Sequence, residues 1–208
     1  MMGDVGEDIK EAYEAAGSSF TILRGDDEIG GGYFKDKLNR LVTKPFIREF
    51  FLEVSLAYDT VVLPGEVVRM DTTTEVYLVM NLTPQVLENE IIAYHCVFYK
   101  CNVSGELKRP TETDGGWGDD YRINAGFSTF TSGCYALQTE ALYGHDLETD
   151  EELGMLGLEN HELYVPHSVG VQIHDRYEPV SGEYYRAETI KTRRYNGIDV
   201  VGLAQDTR

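Results

Sequence analysis

The sequence predicts a mainly β protein of two small antiparallel β-barrel or sandwich-like units, with a short N-terminal helix in front of them. Three observations support this prediction. Short apolar runs rich in Val, Thr and Tyr alternate with turn residues, and Tyr alone accounts for 14 of the 208 residues. A Gly- and Asp-rich stretch interrupts these runs near the middle of the chain. A similar order of strand and turn signals is found on both sides of that stretch, as in an internal duplication.

The N-terminal segment combines a helix, a strand and a glycine run. Residues 8–16 have the apolar spacing of an amphipathic helix, and Gly17 follows where a C-terminal cap belongs. So short a helix needs a surface to pack on, which is either its own domain or a neighbouring subunit. Residues 20–24 form the first predicted strand. Residues 30–32, all glycine, are expected to be a flexible loop because glycine permits unusual backbone angles.

The first β unit begins with an ambiguous segment. Residues 46–58 fit both the alternation of a strand and the spacing of a helix, and Pro45 favours the strand because it suits a strand's first position. Thr83 and Pro84 are expected to open a loop that ends near Asn89. Further strands are predicted at residues 67–70, 75–81 and 91–100. The last of them has apolar residues on both faces, so we expect it to be central and covered on both sides.

The clearest boundary in the sequence is residues 110–120, a polar, glycine-rich stretch around Trp117, the single tryptophan. It divides the chain into residues 1–110, which hold the helix and the first β unit, a linker at residues 111–120, and residues 121–208, which hold the second β unit. Trp117 is either a packing anchor within its own fold or an exposed anchor for an interface.

The second unit repeats the order of the first. Asn196 and Gly197 form a hairpin turn because both residues tolerate positive φ. A strand that begins near a Tyr precedes this turn and another strand follows it, as in the segment after Pro64 and Gly65. The strands of the second unit are predicted at residues 168–175, 183–192 and 198–203.

The charge of the chain argues against sequence-specific nucleic-acid binding. The 36 acids outnumber the 18 bases, and the net charge of −18 repels phosphate. This acidity has two interpretations: it confers solubility, or it forms a surface that DNA must pass without sticking. An acidic run over residues 146–152 is expected to be a solvated loop, because the spacing of a calcium loop is absent.

The chain carries no recognisable catalytic motif, and the prediction is that it is not an enzyme. Cys134 and His145 are the one Cys–His arrangement worth weighing, but their acidic surroundings would raise the thiol pKa. His167 and His174, with Asp175 adjacent, would approach each other across a sheet, yet a zinc site needs three or four converging ligands. We therefore assign no catalytic, cofactor-binding or metal-binding residues, and no cofactor.

The cysteines and the hydropathy indicate where the protein is made. Three cysteines, an odd number without a CxxC pair, indicate free and mostly buried thiols in a reducing compartment. No apolar run resembles a signal peptide or a membrane span. These features predict synthesis and use in a cytoplasm, with no membrane partner.

Five segments carry a resemblance to structural proteins of tailed bacteriophages: residues 43–51, 58–60, 64–68, 77–81 and 182–190. The arrangement of a strand, a glycine-containing turn, and a strand that begins with Tyr and ends in Val is similar to head-tail connector proteins of the stopper or head-completion type. The resemblance is one of pattern rather than of a signature motif. The chain departs from a single-barrel stopper because it is longer and doubled.

The resemblance implies a function for the whole chain. Connector proteins of this kind are β-barrels that assemble as homo-oligomeric rings below the portal, and they have no catalytic residues. The expectation is a non-enzymatic virion protein, assembled in the host cytoplasm, that forms a neck ring between the portal or an adaptor and the tail. DNA would pass through this ring without sequence-specific binding.

Three alternatives remain open at this level. A ligand- or carbohydrate-binding β module would use Trp117 and the Tyr-rich strands as stacking faces. Another tail or baseplate protein would share the same strand pattern. An enzyme would need a site built around Cys134 and His145.

Overall fold

The structure is a computed structural model that describes residues 5–25, 27–36, 51–111, 126–140 and 161–207. Strands dominate these residues, and one helix, α1 (Val5–Ala16), precedes them. The mainly β prediction with a short N-terminal helix is therefore confirmed. Trp117, His145 and the acidic run at residues 146–152 lie outside the described residues.

Twelve strands follow α1 within the described ranges. They are β1 (Ser18–Arg24), β2 (Asp27–Asp36), β3 (Phe51–Ala57), β4 (Val67–Met70), β5 (Val76–Leu87), β6 (Glu90–Lys100), β7 (Val103–Thr111), β8 (Gly126–Glu140), β9 (His161–Pro166), β10 (Arg176–Glu178), β11 (Tyr185–Tyr195) and β12 (Ile198–Gln205).

The strands close into two six-stranded antiparallel barrels. The first has the order β1-β2-β3-β6-β5-β4, and the second, taken in the same sense, has the order β7-β8-β9-β12-β11-β10. Each strand of the first barrel thus has a counterpart six positions later in the second. The prediction of two β-barrel units is confirmed, and the repeated strand order is what an internal duplication would leave.

The passage from one barrel to the other comes earlier than the sequence indicated. It lies at Cys101 and Asn102, and β7 pairs with β8 and β10 of the second barrel. Residues 103–110, which the prediction placed in the first unit, therefore belong to the second. In the sequence, the Gly/Asp-rich stretch falls between β7 and β8, two strands of the same barrel, so it does not separate the two units.

The glycine run at residues 30–32 lies in strand β2, so the expected flexible loop is wrong. Thr21 pairs with Gly30 and Phe20 pairs with Gly32, which leaves Gly31 as the extra residue of a β-bulge. A Cβ on Gly31 would lie 2.2 Å from the ring atom Cε2 of Phe20. The glycine is therefore required by the large side chain on the neighbouring strand.

Aromatic rings fill the core of the first barrel. Phe20 lies edge-to-face with Phe34 and Phe98, with ring centroids 5.9 and 6.2 Å apart. Phe20 is 1% exposed and Phe98 is fully buried. The second barrel is filled by smaller groups around Tyr177, including Cys134 and Ala136.

The segment expected to be a loop from Thr83 to Asn89 is the continuation of a hairpin. Strand β5 extends through Pro84 to Leu87 and pairs with β6 along this length. Glu88 and Asn89 form the turn, with φ of 50° and 70°. In the described structure only β6 pairs with this half of β5. The other edge of the strand forms no ladder there, which is where a proline, lacking an N–H, is tolerated.

The predicted strand at residues 168–175 is also wrong. A 3-10 turn spans His167–Val169, and Gly170 ends it in the left-handed region with φ of 68°. The Asp175 carboxylate then accepts a hydrogen bond from the Gln172 backbone N–H at 2.7 Å, which favours a turn over a strand. The strand that corresponds to β4 is β10, while β11 and β12 match the predictions after it.

Helix α1 packs on its own domain, which settles the alternative left open by the sequence. It lies against β2, β3 and β6 on the outer face of the first barrel. Lys10 Nζ is 2.7 Å from Asp59 Oδ2, and the Tyr58 hydroxyl donates to Glu7 at 2.7 Å. Ala93, on the outer face of β6, is 1% exposed.

The two barrels meet through an apolar cluster. The first barrel contributes buried residues of β4 and β5, whereas the second contributes residues of β8, β9 and β12. Tyr99 and Tyr164 touch across the interface with centroids 6.3 Å apart. The buried members are Val67, Leu78, Met80, Leu137, Tyr164, Ile198 and Val200.

The two barrels use different sets of strands, because β8, β9 and β12 correspond to β2, β3 and β6, whereas the first barrel contributes mainly β4 and β5, with β6 through Tyr99. The contact is therefore heterologous. Tyr99 on β6 faces the second barrel, and α1 covers another part of the same strand. The strand at residues 91–100 is thus covered on both sides over part of its length, whereas Ile91 is 42% exposed and the Lys100 side chain 38%.

The bulge at Gly31 gives a direct test of the first barrel's core. We expect Gly31→Ala to destabilise the protein by about 1–3 kcal/mol, because the new methyl group collides with the buried Phe20 ring. Gly30→Ala is the matched control, since no atom lies within 4 Å of its Cβ position. Denaturant unfolding measures both, and equal stabilities of the two variants would contradict the assignment.

Candidate interaction surfaces

The thiol that the sequence singled out lies inside the second barrel. Cys134 is on β8 and is 5% exposed. Burial raises its pKa to about 12, so the thiol is protonated near neutral pH. Burial likewise raises the pKa of the Cys96 thiol in the first barrel to about 12. These thiols have packing roles in the described structure.

The structure does not gather His167, His174 and Asp175 into a metal site. His167 Nδ1 lies 2.9 Å from Oδ1 of buried Asp199. Asp175, which is 1% exposed, instead accepts hydrogen bonds from Arg109 at 3.0 and 2.9 Å. Among the described residues, no three His, Cys, Asp or Glu side chains are grouped so that they could hold a metal ion.

The outer face of β7, β10 and β11 carries a row of charged side chains. The ladder places Lys108 beside Arg176 and Arg176 beside Arg186. Such a row of like charges is unfavourable unless acids neutralise it. Lys108 forms ion pairs with Glu178 and Glu106, and Arg186 forms one with Glu188. The hydrogen bond from Lys108 lowers the pKa of Glu178.

The middle member of this row is the most deeply buried. Arg176 donates through Nε to Asp206 Oδ2 at 2.8 Å, and the Asp206 side chain is fully buried. The guanidinium lies over the Phe127 ring at 3.7 Å and the Tyr184 ring at 4.8 Å. This contact fastens the segment after β12 to the barrel wall.

Within the described ranges, nearly every base is neutralised by an acid of the same chain. Of the Lys and Arg residues in the described ranges, all except Lys35 and Arg193 form an ion pair with a carboxylate. Over the full sequence the acids outnumber the bases, and the net charge is −18. The outward field is therefore negative, and the described surface offers no cluster of unpaired bases to a phosphate backbone.

A groove of about 260 Å³ lies between α1, the β2 bulge and the segment after β3. Tyr13 and Tyr33 supply aromatic faces, and the Lys10–Asp59 ion pair supplies charge. Binding sites for small molecules are commonly ~300–1,000 Å³, so this groove lies at the small end.

The outer half of the β5–β6 hairpin projects from the first barrel as an exposed arm. We call residues 83–92 the β5–β6 arm. Val86 is 60% exposed, Leu87 47% and Ile91 42%. Val86 and Ile91 are cross-strand neighbours, so their side chains form one apolar patch at the tip. A two-stranded ribbon is marginal by itself, and such a patch typically marks a protein contact.

A second cleft, of about 540 Å³, lies beside the β11–β12 turn. It is lined by His167, Thr192, Arg193, Tyr195 and the Asn196–Gly197 turn. We call it the Arg193 cleft. The neighbouring bases Lys191 and Arg194 are held by Glu162 at 3.0 and 3.5 Å, which leaves Arg193 as the unpaired charge of the cleft.

Comparison with known proteins adds no relative to this description. No family model matches the chain, nor does a curated protein or a solved structure. Within the described ranges, no helix is both long and apolar enough to cross a membrane.

The buried ion pair gives a test of how the charged face is held. We expect Asp206→Ala to cost about 3 kcal/mol, because it leaves the buried Arg176 without its carboxylate. Glu188→Ala removes the partner of the more exposed Arg186 and should cost about 1 kcal/mol or less. Thermal unfolding of both variants checks this order, and an equal or reversed order would contradict it.

Proposed function

We propose that the chain is a non-enzymatic structural protein of a tailed-phage virion, which forms a ring at the head–tail junction, joins the portal or an adaptor to the tail and lines the DNA channel. The observation that carries the proposal is the internal neutralisation of most bases in the part of the chain that the structure describes. A surplus of acids remains on a tandem β-barrel body that also projects an apolar arm.

The charge arrangement suits a surface that DNA slides past. A protein holds DNA when unpaired Lys and Arg side chains neutralise phosphates and release counterions. Here Arg24, Arg69, Lys100 and Arg109 are each bonded to an acid of the same chain, as are most of the other described bases. A negative lumen would repel phosphates and keep friction with DNA low.

The exposed apolar surface suits a protein that works as an assembly. A projecting two-stranded hairpin is marginal alone, and one that exposes apolar side chains gains stability when a neighbour covers them. In a cyclic ring, identical subunits repeat one heterologous contact until it closes. Other tail or baseplate proteins would meet the same physical demands.

A second candidate function rests on the groove beneath α1. Tyr13 and Tyr33 offer stacking faces there, as in a β module that binds a carbohydrate or another small ligand. Such a module would act as a monomer and would bind its ligand saturably.

Mass and shape of the purified protein distinguish the two candidates. We expect light scattering over a range of concentrations to give a multiple of the 23.4 kDa chain, and electron microscopy to show a ring with a central channel. The ring should not be retained on double-stranded DNA at about 50 mM salt, because the chain is strongly acidic and most of its described bases are paired with acids. A monomer at every concentration that binds an oligosaccharide saturably would overturn the connector proposal.

A further inference from the structure

We propose that the β5–β6 arm of one copy inserts into the Arg193 cleft of a second copy, with the acidic turn of the arm beside Arg193. This contact would be the heterologous interface of the assembly, so the inference rests on the proposed function and deepens it. The arm carries Glu88 and Glu90 next to its apolar patch.

The repeat itself shows how a hairpin of this kind is used. The counterpart of the β5–β6 hairpin in the second barrel is the β11–β12 hairpin. Its turn at Gly197 presses against the Pro64–Gly65 turn of the first barrel. The hairpin of the second barrel thus already docks by its tip on another barrel. The β5–β6 arm is the corresponding hairpin of the first barrel, and its tip is exposed.

The arm of a chain cannot reach the Arg193 cleft of the same chain along the described fold. The cleft includes Gly197, which touches Gly65. The Gly65 N–H in turn donates a hydrogen bond to the Val79 carbonyl on β5 at 2.8 Å. From Val79 the strand runs away to Leu87, a distance of about 26 Å at ~3.3 Å per residue. The tip and the cleft are therefore at separate places on the molecule, as a head-to-tail contact requires.

Charge selects this cleft among the surfaces of the second copy. Glu88 and Glu90 form no ion pair within the described structure, and the described bases without an acid partner are Lys35 and Arg193. Arg193 lines the cleft, whereas Lys35 does not. Tyr195 also lines the cleft, and its ring would be the aromatic surface that Val86 and Ile91 contact.

Charge reversal tests the contact. The variants are Glu88→Arg, Arg193→Glu and the double exchange, each made in the full chain and measured by light scattering and electron microscopy. Glu88→Arg retains a side chain of similar length at the turn, and both positions are exposed, so thermal stability should be unchanged. Matched controls are Glu183→Arg, an exposed acid elsewhere, and Lys35→Glu, the other unpaired base.

We expect each single reversal to raise the concentration needed for assembly at least 10-fold, and the double exchange to restore it to within 3-fold of the parent. The two controls should assemble like the parent. Rings that form normally in both single variants would overturn the arm contact and leave the proposed function standing. Failure of the double exchange to restore assembly would overturn the pairing of Glu88 with Arg193.

The remaining outcomes separate the two proposals. Arm-dependent assembly into particles without a channel would support the contact and overturn the ring. A parent chain that stays monomeric at all concentrations would overturn both.

Discussion

The close contact of two turns fixes the relation of the two barrels. A Cβ on Gly65 would lie 2.0 Å from the carbonyl oxygen of Gly197, and a Cβ on Gly197 would lie 2.2 Å from that of Pro64. Each turn is also hydrogen-bonded to its own barrel. The Gly65 N–H donates to the Val79 carbonyl, and the His167 N–H donates to the Gly197 carbonyl, both at 2.8 Å. Only glycine allows the backbones to meet this closely. The apolar interface and the opposite placement of arm and cleft both follow from this approach.

The heterologous contact makes the two repeats unequal. The face of the second barrel that meets the first corresponds to the face that α1 covers on the first barrel. The face of the second barrel that lies away from the first carries Lys108, Arg176 and Arg186 with their acids. At the corresponding strands the first barrel has Val67 and Leu78, which are buried in the interface. A third barrel therefore could not add to either end of the pair through the same interface, because α1 covers one end and charged side chains cover the other, as in capped repeat proteins. Any larger assembly must use other surfaces, and the β5–β6 arm is one that exposes large apolar side chains.

The sequence predicts the parts of this fold that depend on local signals. The Val-rich strand β4, the long strand β6 and the turn at Gly197 were found because alternation and turn chemistry are local. The role of Gly31 cannot be seen locally, because the need for glycine comes from Phe20 on another strand. The sequence does not reveal the arm, because Pro84 is typical of a loop. An unpaired edge of a strand nevertheless tolerates proline. No local pattern shows that the bases are paired with acids, since most partners are far apart in the chain, such as Arg109 and Asp175.

The glycine contact between the barrels is tested most directly by comparing Gly197→Ala with Gly170→Ala. Both residues have positive φ, 74° and 68°, so both variants carry the same kind of backbone strain. Only the methyl group at residue 197 would collide with the other barrel, since nothing lies within 4 Å of the Cβ position at residue 170. We predict that denaturant unfolding shows a loss for Gly197→Ala that is larger by about 1–3 kcal/mol. Equal losses in the two variants would contradict the account.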